Sequence, residues 1–252
     1  MKLKVDALRV EIFADRAAMG AQAGADAAEA IRAAIREKGQ ANVMFAAAPS
    51  QNETLAALCA AEGIDWTRVH AFHMDEYIGL DGAHPAGFGN FLKRAIFDRL
   101  PFAAVELIDC RAADPEAEAR RYAALLREHP LDVCLCGIGE NGHLAFNDPP
   151  VADFADPLLV KVVQLDERCR LQQVHDGCFA RIEDVPRCAL SATVPALFAA
   201  ETIVCTVPAA TKADAVYDML RGEITTACPA SILRRHPNAA LYLDPASAGK
   251  LD

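Results

Sequence analysis

The run Cys136-Gly137-Ile138-Gly139-Glu140-Asn141-Gly142-His143-Leu144-Ala145-Phe146-Asn147-Asp148-Pro149-Pro150 follows the apolar segment Val133-Cys134-Leu135. It places a histidine between two side chains, Asn141 and Asp148, that can fix its tautomer and orientation. An imidazole so held is suited to moving protons. A second candidate is Phe72-His73-Met74-Asp75-Glu76-Tyr77, where adjacent carboxylates follow an apolar strand. An apolar wall there would lift a carboxylate pKa toward general-base values, whereas a solvated acidic turn would not. A third is Thr211-Lys212-Ala213-Asp214, which puts Lys212 in the first turn of a helix. A cation is unfavourable at that end of the helix dipole unless an anion lies between it and the backbone N–H groups, so the placement points to a phosphate or carboxylate ligand. Ser50, at another helix start, offers a second anion contact.

The elements that must position these groups alternate along the chain. An alanine-rich helix is predicted over residues 15–38 and ends at Gly39. A buried strand follows at 43–47. Ser50-Gln51-Asn52-Glu53 then reads as a capping box that opens a helix through 54–58. Further strands are predicted at 69–72, 105–108, around 133, at 160–165, 202–207 and 239–243. Helices are predicted at 88–99, 116–128, 194–199 and 212–220. Strands separated by helices of this length imply parallel pairing with right-handed crossovers. The fold class is therefore α/β, an open, mostly parallel, Rossmann-like sheet with helices on both faces, as a single domain over residues 1–252.

In such a sheet ligands gather beyond the carboxyl ends of the strands. Four polar loops fall there, at 48–52, 74–80, 137–148 and 208–212. Residues 149–179, rich in Pro, Asp and Gln, are expected to form a lid. Gly137-x-Gly139-x-x-Gly142 fits a dinucleotide fingerprint, but it lies mid-chain and Pro149-Pro150 leave little room for the long helix that a nucleotide site needs. No nicotinamide cofactor is predicted.

The chain has 252 residues, 35 acidic against 25 basic, and a formal net charge of -10. That balance, without a concentrated basic run, speaks against nucleic acid as a partner. No apolar stretch reaches membrane-spanning length before a charge or proline interrupts it, and the N-terminus has no signal-peptide core, so no membrane partner and a cytoplasmic location are expected. The nine cysteines read as reduced thiols. Cys134 and Cys136 form a C-x-C on a strand and are read as facing apart, so no zinc or other metal is predicted.

Taken together, these segments resemble the glucosamine-6-phosphate deaminase family, within the superfamily that includes 6-phosphogluconolactonases. The resemblance rests on Met74-Asp75-Glu76-Tyr77-Ile78-Gly79-Leu80, His84-Pro85, the run from Gly137 to Asn147, Ala227-Cys228-Pro229-Ala230-Ser231 and His236-Pro237. It implies conversion of an amino-sugar phosphate and water to a ketose phosphate and ammonia, with no cofactor. By this resemblance Asp75 shuttles the proton between C2 and C1, His143 assists ring opening, and Lys212 binds phosphate. Ser50, Gln51 and Gly139 belong to the matching substrate loops. The family's acidic residue two places before the histidine is Asn141 here, and its glutamate after Phe-Asn is Asp148. Asn141 can orient an imidazole but carries no charge, so ring opening rests more on Asp148. The lid arginine that grips phosphate has no clear counterpart, and Lys161, Arg170 and His175 are its candidate substitutes. The resemblance is compatible with a homo-oligomer. Two alternatives remain open, a sugar-phosphate lactonase and a non-catalytic sugar-phosphate sensor.

Overall fold

The computed structural model describes residues 1–251. An N-terminal hairpin, β1 (Lys2–Val5) and β2 (Leu8–Ile12), leads into α1 (Arg16–Lys38), β3 (Ala41–Phe45), α2 (Asn52–Ala60), β4 (Val69–His73) and β5 (Asp75–Tyr77). Then come α3 (Phe88–Leu92), β6 (Ala104–Glu106), α4 (Pro115–Glu128) and β7 (Val133–Cys136). The chain continues through β8 (Val160–Gln164), α5 (Glu167–His175), β9 (Cys188–Ala192), α6 (Val194–Phe198), β10 (Thr202–Val207), α7 (Ala213–Arg221) and β11 (Ala239–Leu243).

Eight strands form the main sheet in the order β1-β2-β11-β10-β7-β3-β4-β6. Apart from the antiparallel β1–β2 hairpin, every pairing in it is parallel. This is the predicted architecture with a hairpin added at one edge, except that the strand predicted at 160–165 pairs antiparallel in a separate sheet. One apolar cluster on the sheet gathers side chains of α1, α2 and α3, and the other gathers those of α4, α6 and α7. From β3 the chain steps outward through β4 and β6, then returns to the opposite side of β3 as β7 and proceeds to β10 and β11. That reversal splays the loops after β3 and β7 and opens a crevice at their carboxyl ends.

Helix α1 forms where predicted. Asp15 caps it by accepting from the Ala18 N–H at 2.7 Å, and Gly39 ends it with φ of 79°. Its small residues serve close packing: a Cβ on Gly20 would lie 2.2 Å from Glu53 Cβ, and one on Gly24 would lie 2.5 Å from Ala57 Cβ. Helix α2 therefore lies tightly along α1, and Arg16 is brought to Glu53 with Nε 2.8 Å from Oε1. This pairing displaces the predicted capping box. Pro49–Gln51 instead make a 3-10 turn ahead of α2, with no side-chain cap, because the Arg16 guanidinium is a stronger partner for Glu53 than a backbone N–H.

Two further expectations are corrected. Residues 75–77, placed in a polar loop, form β5 in a small antiparallel sheet of order β5-β9-β8. Tyr77 anchors that strand by packing on Phe88, Phe146 and Phe179. Cys134 and Cys136 do not face apart. Positions two apart on a strand share a face, and both thiols lie in one apolar cluster with Cys205, whose Cα is paired with that of Cys136.

Candidate active site

A cleft opens at the crevice between β3 and β7. Its walls come from the loops after β3, β7 and β10, from β5, and from α5 and the turn that follows it. Asp75, His143 and Lys212 all line it.

His143 is held by a compact network. Its Nδ1 lies 2.8 Å from Asn141 Oδ1 and 2.9 Å from Asp148 Oδ1. Asn141 Nδ2 donates to Asp148 Oδ1 at 2.9 Å, which turns the Asn141 oxygen toward the imidazole, and the His143 N–H also donates to that oxygen at 3.1 Å. Two acceptors therefore face Nδ1, the proton resides there, and Nε2 is left as the basic nitrogen. Burial alone would raise the Asp148 carboxyl, but the hydrogen bond and charge of His143 and the Asn141 amide outweigh it and hold the group below its ordinary value. The ring passes directly over Gly139, where a Cβ would lie 2.1 Å from His143 Cε1. Cys169 completes the surroundings: its sulfur and the ligand atoms of His143 and Asp148 lie within 4.8 Å of one another, making these the residues that could hold a metal ion.

The adjacent carboxylates of β5 point opposite ways, as strand alternation requires. Asp75 turns into the cleft against Met74, Phe88 and Phe146. Burial, reinforced by the charge of Glu76, pushes its carboxyl well above the ordinary range. Glu76 turns away and accepts from the N–H groups of Tyr77, Phe88 and Gly89 at 2.9, 3.1 and 2.9 Å. It secures the start of α3.

Lys212, also in the lining, caps α7, one residue ahead of the first turn predicted for it. The side chain is buried and Nζ makes no hydrogen bond to the described residues. Burial lowers its pKa, against the opposing charges of Asp176 and Glu140. A buried, unpartnered ammonium facing a cleft calls for an anion. Ser50 and Thr211 line the cleft with it.

The remaining predicted binding residues are placed otherwise. Gln51 is buried, and its amide is spent on the sheet: Nε2 donates to the carbonyls of Cys136 and Thr206 at 3.3 and 3.4 Å, while Oε1 accepts from the Thr206 hydroxyl at 3.0 Å. It ties the loop after β3 to β7 and β10. Lys161 turns away to Asp156 and the Val151 carbonyl. Arg170 donates to the carbonyls of Ile182 and Val185. His175 is exposed, with Nδ1 3.4 Å from Glu140 Oε1, at the cleft's edge rather than in its lining. Neither Lys161 nor Arg170 lines the cleft; both donate to carbonyls elsewhere, and Arg170 Nε is buried without a partner among the described residues. Sequence reasoning missed Arg16, Gln173, Asp176 and Thr211. Arg16 opens α1, so the dipole argument that singles out Lys212 also marks Arg16.

Comparison with known proteins matches residues 14–242 to the family described as glucosamine-6-phosphate isomerases/6-phosphogluconolactonase. The chain belongs to the glucosamine-6-phosphate isomerase/6-phosphogluconolactonase family. Within this family it is similar to the glucosamine-6-phosphate deaminase of Listeria welshimeri, 34% identical over 213 residues, 84% of this chain and 89% of that one. It is also similar to the glucosamine-6-phosphate deaminase of an Exiguobacterium species, 38% identical over 75% of this chain and 72% of that one. Among solved structures, a monomeric glucosamine-6-phosphate deaminase superposes with a TM-score of 0.87 at 26% identity, covering 95% of this chain and 98% of that one. The 6-phosphogluconolactonase of Trypanosoma brucei shares the family fold, with a TM-score of 0.75 at 18% identity over the full length of both chains.

Proposed function

We propose that this enzyme converts an amino-sugar phosphate and water to the matching ketose phosphate and ammonia, with glucosamine 6-phosphate or its galactosamine epimer as substrate. The observation that carries this reading is the lining of one cleft: a proton-hungry Asp75, an oriented His143 and the unpartnered Lys212 ammonium all face it. The names of its relatives support the same activity.

In this reading Lys212 takes the phosphate, with Ser50 beside it. His143 Nε2 accepts the proton of the anomeric hydroxyl and passes a proton to the ring oxygen, which opens the sugar. Asp148 stabilises the imidazolium formed on the way, a charge Asn141 cannot offset. Asp75, as carboxylate, takes the C2 proton and leaves an enolamine across C1 and C2. Returning that proton to C1 gives a C2 iminium, which water hydrolyses to the ketone and ammonium. Residues 149–179 serve as the lid, its inner wall being α5 and the turn after it.

Purified protein incubated with glucosamine 6-phosphate and galactosamine 6-phosphate is expected to release ammonia and ketose phosphate in equal amounts. Neither product from correctly folded protein sinks the proposal. Turnover of a sugar-phosphate lactone without ammonia release would favour the lactonase reading, and binding without turnover the sensor.

A further inference from the structure

Helix α5 and the turn after it line the cleft through Gln172, Gln173 and Asp176. Cys169, in its first turn, shares the cluster of His143 and Asp148 and feels the charge of Asp75. Asp176, just past its last residue, supplies the foremost charge acting on the buried Lys212 ammonium, ahead of Glu140 and Cys169. The step from position 169 to 176 covers about 10 Å at 1.5 Å per residue, close to the reach of an open-chain hexose phosphate from C1 to phosphorus. The middle of α5 therefore lies opposite the middle of such a chain, where the C3, C4 and C5 hydroxyls are carried.

Two glutamines occupy that stretch, and only one is free. Gln172 is engaged at both ends of its amide, Oε1 accepting from the Glu140 N–H at 2.8 Å and Nε2 donating to Asp176 Oδ2 at 3.3 Å. Gln173 is equally buried and lines the cleft, and its amide makes no side-chain hydrogen bond to the described residues. A primary amide offers both a donor and an acceptor, the pair needed to read a secondary hydroxyl. Of the other polar side chains of the lining, Asp75 and His143 are assigned above to the reacting carbons and Ser50 and Lys212 to the phosphate, while Arg16 is paired with Glu53 and Gln172 with Asp176.

We infer that Gln173 is the specificity-determining residue for the mid-chain hydroxyls, and that it sets the preference between amino-sugar phosphates epimeric at C4. This rests on the sugar-phosphate reading above. A site built to hydrogen-bond a hydroxyl discriminates steeply against a substrate that leaves its amide unpaired.

The test measures kcat and KM of the wild type, Gln173→Leu and Gln173→Asn with glucosamine 6-phosphate and galactosamine 6-phosphate, with inorganic phosphate as a competitive inhibitor. The Leu variant is expected to lower the ratio of the two kcat/KM values by about 10-fold or more, with phosphate inhibition unchanged. The Asn variant, which keeps the amide one methylene shorter, is expected to recover part of that ratio. An unchanged epimer ratio in both folded variants, whatever the loss in rate, overturns the inference while leaving the activity standing. Failure of the wild type on both sugars overturns the activity itself, and the inference with it.

Discussion

His143 Nδ1 and Asp148 Oδ1 face each other across 2.9 Å, both side chains being buried. The pair fixes both the tautomer of the ring and the charge that stabilises its protonated form. Replacing Asp148 with Asn keeps the shape but removes the charge, so Asp148→Asn is expected to lower kcat by about 100-fold, the scale of a lost general acid–base contribution. KM should change little, because the phosphate end is untouched. A variant with kcat within a factor of two of wild type would show that Asn141 alone suffices to set the imidazole.

Asp75→Asn is expected to abolish exchange of the C2 proton with solvent and, at the same time, to stabilise the fold. The folded pKa of Asp75 is raised by burial. Its contribution to stability is therefore full below the unfolded carboxylate value and is lost as pH rises through the raised folded value. The amide carries no such loss, so the variant should gain on the wild type as pH climbs through that window. A gain of about 1 kcal/mol at neutral pH would raise Tm by roughly 2–4 °C. Calorimetry across pH checks the sign.

The same raised value governs the wild-type pH–rate profile. Asp75 must be ionised to take the C2 proton, so kcat is expected to fall on the acid side at a pH above the ordinary carboxylate range. An acid limb at the value of an exposed aspartate would contradict the burial argument.

Gly139→Ala is expected to cost activity without touching the reacting groups. The added Cβ would lie 2.1 Å from His143 Cε1, too close for any side chain, so the ring must shift. A fall in kcat of about 10-fold or more, with phosphate inhibition retained, is the expected result. The displaced ring should be visible as a changed imidazole resonance by NMR.

Lys212→Met should act mainly on binding. Losing a charged hydrogen bond to phosphate costs about 1.5–3 kcal/mol, or roughly 10- to 100-fold in affinity. Because burial lowers the lysine pKa, wild-type affinity should also weaken at a less alkaline pH than an exposed lysine would produce. That pH dependence should be absent in Lys212→Met.

Much of the site is legible in local sequence. Asn141, His143 and Asp148 lie within eight residues on one glycine-bounded loop, so spacing alone brings them together. Asp75 and Lys212 are readable because each follows a strand whose carboxyl end must open on the same crevice. What could not be read was set by partners distant in sequence. Gln51 looks like a ligand until Cys136 and Thr206 claim its amide. Glu53 looks like a capping residue until Arg16 reaches it across the α1–α2 contact. Lys161 and Arg170 look like free cations until the folding of their own segment turns them to carbonyls 10 to 15 residues away. Helix α5 escaped because its apolar periodicity is weak: one side faces a polar cleft rather than a core.

Glu140 meets α5 three times: its N–H donates to Gln172, its carbonyl accepts from Arg168 at 3.3 Å, and its carboxylate faces His175. The neighbouring residue, Asn141, orients the reactive imidazole. The attachment of α5 and the aim of the histidine are thus set by consecutive links of one loop. For the proposed reaction, a substitution at Glu140 is on that account expected to disturb the hold on the sugar and its ring opening together, so that the two evolve as one trait.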